Sequence, residues 1–166
     1  MIIGEAPGKD ENITGKPFTG PAGQLLDKIW QSVGMDTNNW YITNVVHCRP
    51  VAEKGSGKEN YTPLQTQIIK CAPYVNRQIA LLDPKIIVTV GLVATQRILS
   101  REEAPSMLKV NGQVFQREVV QKSRIIFPIL HPACILHSSG EQKDFYKREI
   151  WTAIQKLKGL IDDTSV

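Results

Sequence analysis

The sequence predicts an α/β fold, a parallel sheet covered by helices on both faces. Three observations carry this reading. Four short apolar runs rich in β-branched residues recur along the chain, and most end at Gly, Pro or a polar turn, which is how strands are punctuated. Between them lie stretches whose apolar residues recur three and four apart, and strands that alternate with helices imply parallel pairing. At 166 residues and 42% apolar composition the chain can bury one substantial core and is too short for two ordinary domains, so a single domain over 1–166 is expected.

Each element has its own warrant. Met1-Ile2-Ile3 reads as the first strand, closed by Gly4. Leu25, Leu26, Ile29, Trp30 and Val33 share one face of a helix that Gly34 stops. Tyr41 to Val46 is the second strand, and Ala52 to Asn60, with Gly55, Ser56, Gly57 and several charges, reads as an exposed flexible loop. Thr62 as N-cap and Pro63 at the first helical position open a helix that runs to about Leu82, before Asp83-Pro84. Lys85 to Val90 is the third strand, a helix follows Gly91, and Asn111-Gly112 signals a two-residue hairpin before the last strand, Ile125 to Leu130. The final helix covers roughly Phe145 to Leu160, and no internal repeat is visible.

Charge and cysteine content narrow the function classes. Residues 1–60 hold 6 Lys and Arg against 7 Asp and Glu, whereas residues 61–166 hold 14 against 9, so the basic surplus belongs to the C-terminal part. That surplus suits a polyanionic partner, and equally suits a solvated basic surface. No window approaches 18 consecutive apolar residues and no secretory leader pattern opens the chain, which argues against membrane spanning and secretion. Cys48, Cys71 and Cys134 cannot make a full disulfide framework, so a reducing, cytoplasmic location is expected and ligation becomes the question.

In an open parallel sheet, ligands sit outside the carboxyl ends of the strands. Four segments follow the apolar runs: Gly4-Glu5-Ala6-Pro7-Gly8, Asn44 to Pro50, Gly91, and His131-Pro132-Ala133. A glycine-rich turn before a helix lets backbone N–H groups approach an oxygen-bearing ligand; the same glycines also suit a tight connection with solvated acids. Asn44 offers one acceptor and two donors in a plane, which can match a pyrimidine edge or bond its own backbone in a turn. His131 is a candidate donor or a packed core residue.

Taken together, Gly4-Glu5-Ala6-Pro7-Gly8, Gly15-x-Pro17-Phe18-x-Gly20-x-Ala22-Gly23, Thr43-Asn44-Val45-Val46-x-Cys48-Arg49-Pro50 and His131-Pro132 resemble the family 4 uracil-DNA glycosylases, the iron-sulfur branch of that superfamily. The motifs keep the family's order, and the resemblance runs from residue 2 to about residue 157. It implies a three-layer α/β/α sandwich around a four-stranded, mostly parallel sheet. It also implies a monomeric, monofunctional intracellular enzyme that flips uracil out of DNA and hydrolyses its N-glycosidic bond, leaving an abasic site for base excision repair. By the same resemblance, Phe18 stacks on the flipped base, Asn44 reads its Watson-Crick edge, and His131 donates to O2 as charge develops there. Glu5 and Glu11 match acidic positions near the sugar and the attacking water. Gly4, Ala6, Pro7 and Gly8 shape the pocket loop, and Pro132, Ala133, Leu136 and His137 match the loop that presses into the minor groove.

Departures from the pattern bear on mechanism and cofactor. Ala6 stands where the best-known uracil-DNA glycosylases have an Asp, and alanine cannot activate water, so a dissociative reaction with electrostatic stabilisation is expected. The family holds a 4Fe-4S cluster on four cysteines; Cys48 and Cys71 match two, and the upstream Cys-x-x-Cys pair is missing. An N-terminally shortened chain and loss of the cluster both account for this, and on either account the cluster is expected to be absent or incomplete, with 48–71 the least ordered region. The family's groove-contacting Arg is replaced by His137, which predicts weaker, more pH-sensitive DNA binding. A noncatalytic uracil or DNA sensor, or a domain attached to replication machinery, is the rival reading.

Overall fold

The computed structural model describes residues 1–38, 40–54 and 57–164. In chain order the elements are β1 (Ile2–Gly4), α1 (Lys9–Thr14), α2 (Pro21–Ser32), β2 (Ile42–Asn44), β3 (Val51–Lys54), β4 (Gly57–Asn60) and α3 (Gln65–Leu82). There follow β5 (Ile86–Val90), α4 (Leu92–Ile98), α5 (Met107–Val110), β6 (Phe115–Val119), β7 (Lys122–Ile129), α6 (Ala133–Leu136) and α7 (Gly140–Thr164). The main sheet has the order β2-β1-β5-β7-β6. Its first four strands are parallel, as expected, and β6 adds a fifth, antiparallel strand at the edge.

Alternation along the strands builds the three layers, because successive side chains leave a strand on opposite faces. Ile2, Val88, Val90, Phe127 and Ile129 point into one cluster with Leu26 and Trp30 of α2 and with Ile150, Ile154 and Leu157 of α7. Ile3, Ile87 and Ile126 point the other way, onto Val75 and Ile79 of α3 and Ala94 of α4. Burial on both faces explains why these strands read as continuous apolar runs.

Four local expectations are corrected. The stretch Ala52 to Asn60 is not a loop where it is described: β3 and β4 pair antiparallel, Val51 opposite Asn60 and Glu53 opposite Lys58, while Gly55 and Ser56 lie outside the described residues. The helix expected from Thr62-Pro63 starts at Gln65, because the Gln67 side chain accepts from the backbone N–H of Leu64 (2.8 Å) and makes Leu64 the cap. The last helix begins five residues early, at Gly140, through a polar first turn that apolar periodicity does not reveal. Asn111-Gly112 is not a hairpin turn. Asn111 donates to the Glu149 carbonyl (3.1 Å) and accepts from the Leu130 N–H (2.9 Å), so it clamps α7 to the end of β7. The hairpin turn is Val120-Gln121, both left-handed at φ 52° and 60°, the geometry of a two-residue turn usually given to Asn-Gly.

The cost of placing a β-branched residue there is met by Arg124, whose side chain is 3% exposed. Its guanidinium donates to the carbonyls of Val119 (3.1 Å) and Pro84 (2.9 Å) and to the Asp83 carboxylate (2.7 Å), joining the turn to the end of α3. Arg124→Ala is expected to strand these acceptors at a cost of about 2 kcal/mol, or roughly 4–8 °C for a chain of this size. Thermal unfolding measures it, and an unchanged midpoint would show that the latch is dispensable. Hydrogen bonds from Lys122 and then Arg124 hold the Asp83 carboxyl below its ordinary value. Its folded pKa lies below its unfolded one, so its contribution is present above the ordinary aspartate range and is lost only as acid passes through the lowered value.

Candidate active site

The carboxyl ends of β1, β2 and β7 open into a cleft of about 600 Å³, of a size to take a nucleoside. Of the residues singled out from the sequence, Glu5, Ala6, Pro7, Gly8, Glu11, Phe18, Asn44, Ala133, His131, Leu136 and His137 all line it. Gly4 lies beneath the lining: a β-carbon there would collide with the Asn44 side chain and stand 2.7 Å from Phe18 Cζ, so only glycine lets these two groups meet. Pro132 is buried behind the opening. Cys48 is exposed and Cys71 half-buried against the α3 side of the sheet, and neither lines the cleft.

Phe18 is held in a left-handed conformation, φ 57°, which costs a side-chain-bearing residue about 1–3 kcal/mol and persists only where its surroundings enforce it. Gly23 is part of that enforcement. The Phe18 carbonyl occupies the space where a β-carbon of residue 23 would stand, so α2 packs directly on the Phe18 backbone.

Asn44 is 7% exposed, and among the described residues no hydrogen bond takes its side-chain amide. The residue is buried as a whole, but its amide atoms still reach the cleft: among the described residues the buried side-chain atom without a partner is Gln78 Oε1. An amide left open at the wall of a cleft is poised for a ligand. The ladder holds it there: beyond the last paired residues, Val45 N–H reaches the Gly4 carbonyl (2.9 Å) and Val46 N–H the Glu5 carbonyl (3.0 Å), so the ends of β1 and β2 move as one.

His131 has a defined tautomer. The Ala133 backbone N–H donates to Nδ1 (3.2 Å), which must therefore be an unprotonated acceptor, leaving the proton on Nε2. Burial, the largest cause, holds its pKa below the ordinary histidine value, with the Glu11 charge opposing. Gly91 gives the ring room: a β-carbon there would lie 3.2 Å from His131 Cβ, and its φ of 86° disfavours any other residue.

The two acids have different settings. Glu5 lines the cleft, and burial raises its pKa. The Glu11 carboxylate is occupied: Oε2 accepts from the Gly8 N–H (3.1 Å) and Oε1 from the Gly20 N–H (2.7 Å), tying the loop before α1 to the loop that carries Phe18. Asn60 and Tyr61 were not foreseen as lining residues, since 52–60 read as loop; the mixed charges on both sides of Gly-Ser-Gly were the signal of a ribbon.

The uracil DNA glycosylase superfamily model matches residues 1–155 of the chain. The chain belongs to this superfamily. A type-4 uracil-DNA glycosylase of Sulfurisphaera tokodaii is 39% identical over 146 residues, 86% of this chain and 63% of that protein, so the chain spans just under two thirds of that relative. A type-4 uracil-DNA glycosylase of Thermotoga maritima is 30% identical over 161 residues, 97% of this chain and 77% of the relative. A DNA polymerase of Bacillus phage SP01 is 29% identical over 160 residues, which are 96% of this chain and 16% of the polymerase.

The iron-sulfur cluster that the resemblance implies does not fit the thiols of this glycosylase-family chain. Among the described residues no three His, Cys, Asp or Glu side chains group closely enough to hold a metal ion. Cys134, on α6, packs against the α2 and α7 side of the core, where burial raises its pKa and disfavours the thiolate that ligation needs. Three cysteines cannot supply four thiolate ligands.

Proposed function

We propose that this chain is a monofunctional uracil-DNA glycosylase that acts on extruded uracil. The observation that carries the reading is the unpartnered amide of Asn44, on a residue 7% exposed, sharing one cleft with Phe18 and His131. Uracil presents an imide N–H beside a carbonyl, which a planar amide can meet with its own acceptor and donor; cytosine offers an amine beside a ring acceptor. Phe18 supplies the stacking face that repays the few kcal/mol spent on extrusion.

In the reaction the bond between uracil N1 and the sugar C1′ breaks with its electron pair going to the base. Negative charge gathers on the uracil oxygens and positive charge on the deoxyribose. The Nε2–H of His131 donates to O2 of the departing anion, and Glu5 faces the sugar cation and the water that adds to C1′; the proton this water gives up ends on the uracil anion, which leaves as neutral uracil. Glu11 acts as a positioning residue, because both its oxygens hold backbone N–H groups. No step runs through an iron-sulfur cluster. Leu136, 45% exposed at the mouth, serves as an apolar wedge in the minor groove, with Ala133 and His137 beside it and Pro132 setting the turn.

Incubation with a uracil-containing oligonucleotide tests the reading. Free uracil should appear, and strand breaks should follow only after alkali, as for a monofunctional enzyme. Tight binding to that oligonucleotide without uracil release would favour the second reading, a DNA-binding domain of replication machinery. The match to a stretch of a phage DNA polymerase supports that alternative.

A further inference from the structure

One wall of the cleft comes from Pro50, Asn60 and Tyr61, at the base of the β3–β4 ribbon. This base is braced from several directions. Tyr61 N–H donates to the Pro50 carbonyl (3.2 Å), which closes the ribbon, and Arg49 Nε donates to Asn60 Oδ1 (2.7 Å). Gln67, in the first turn of α3, uses both ends of its amide: Oε1 accepts from the Leu64 N–H and Nε2 donates to the Tyr61 hydroxyl oxygen (3.0 Å). A side chain with both ends engaged cannot swing away, so the phenol is held in one orientation.

The direction of that last bond matters. A phenol carries one proton and two lone pairs, and Gln67 Nε2 has only protons to give, so Tyr61 is the acceptor there and keeps its own proton. Among the described residues no acceptor takes it. Tyr61 therefore presents a fixed donor at the cleft wall. The polar edge of a bound base is already provided for by Asn44 and His131, and its face by Phe18. What remains unmatched on an extruded nucleotide is its phosphodiester, whose oxygens only accept. Lys9 lines the same cleft and suits the same charge.

Building on the glycosylase reading, we propose that Tyr61 donates to a phosphodiester oxygen of the strand that carries the flipped nucleotide, with Gln67 as its positioning residue. A hydrogen bond to an ionised acceptor is stronger than one between neutral groups, and a rigid donor loses little entropy in making it.

Tyr61→Phe keeps the ring and removes the hydroxyl, and with it both the free donor and the acceptor for Gln67 Nε2. It should raise the dissociation constant for a uracil-containing oligonucleotide, and KM with it, roughly 5- to 10-fold. Product inhibition by free uracil, which carries no phosphate, should be unchanged. Gln67→Ala should weaken oligonucleotide binding in the same way, and the double variant should lose no more than the single ones, since the two act through one bond. Equal oligonucleotide affinity of wild type and Tyr61→Phe would overturn the proposal. Weaker inhibition by free uracil in Tyr61→Phe would also overturn it, by moving Tyr61 to the base. Affinity is measured independently of turnover, so a wild-type chain that binds DNA and releases no uracil would sink the glycosylase reading and still decide the role of Tyr61.

Discussion

His131→Ala is expected to slow single-turnover release of uracil by about 100- to 1000-fold, the usual cost of removing one preorganised donor from a developing anion. Affinity for the uracil-containing oligonucleotide should fall far less, because a donor aimed at charge that appears only in the transition state contributes little to ground-state binding. The tautomer fixed by the Ala133 N–H makes a further demand. On this account the ring acts as a neutral imidazole whose pKa burial holds down, so His131 itself should contribute no inflection near pH ~6.5, where an exposed histidine titrates. An unchanged single-turnover rate in the alanine variant would remove His131 from the reaction, and a step at the ordinary histidine pH that persists in the His137→Ala and Glu5→Gln variants would remove the neutral-donor account.

Asn44→Ala should be the other large loss. Two hydrogen bonds to the imide edge disappear, and the uracil groups left without partners keep their desolvation cost, about 3 kcal/mol together or roughly 100-fold in kcat/KM. Inhibition by free uracil should weaken in parallel, because this contact exists in the ground state. Lys70→Ala, an exposed change on α3, is the control. If both variants release uracil equally fast, Asn44 is not the reading residue, and the open amide needs another explanation.

The contrast between these residues and Tyr61 shows what the sequence could reveal. Asn44 stands at the end of one strand and His131 just past another, and an open parallel sheet gathers the carboxyl ends of its strands, so strand punctuation pointed to them as candidates. Their partnership with Phe18 came from the family resemblance, because nothing in spacing says that residue 18 bends back over Gly4. Asn60 and Tyr61 stayed hidden because β3 and β4 form a two-stranded ribbon with little apolar alternation to announce it. Asn111-Gly112 misled for a related reason. A dipeptide suited to a turn was used as a clamp between α7 and β7, and the turn went to Val120-Gln121, where Arg124 supplies from a distance what local sequence does not. The resemblance put Glu11 near the sugar and the water; that its two oxygens hold the Gly8 and Gly20 N–H groups is visible only in the fold, because a sequence does not show a carboxylate's partners.

The strand order has a consequence for how the molecule is made. β1 lies between β2 and β5, both made after it, so Ile2 must pair with Ile42 on one side and Val88 on the other. Its second partner is synthesised more than eighty residues later, and the strand that carries His131 comes later still. Closing such long loops costs entropy before any contact rewards it, which slows folding relative to folds built from local contacts. Until β5 arrives, Ile2 and Ile3 lack one flank of their sheet, and the growing chain carries an apolar strand with an open edge. The cleft is therefore a late product of folding, formed only after the segment that carries His131 has joined β1 and β2.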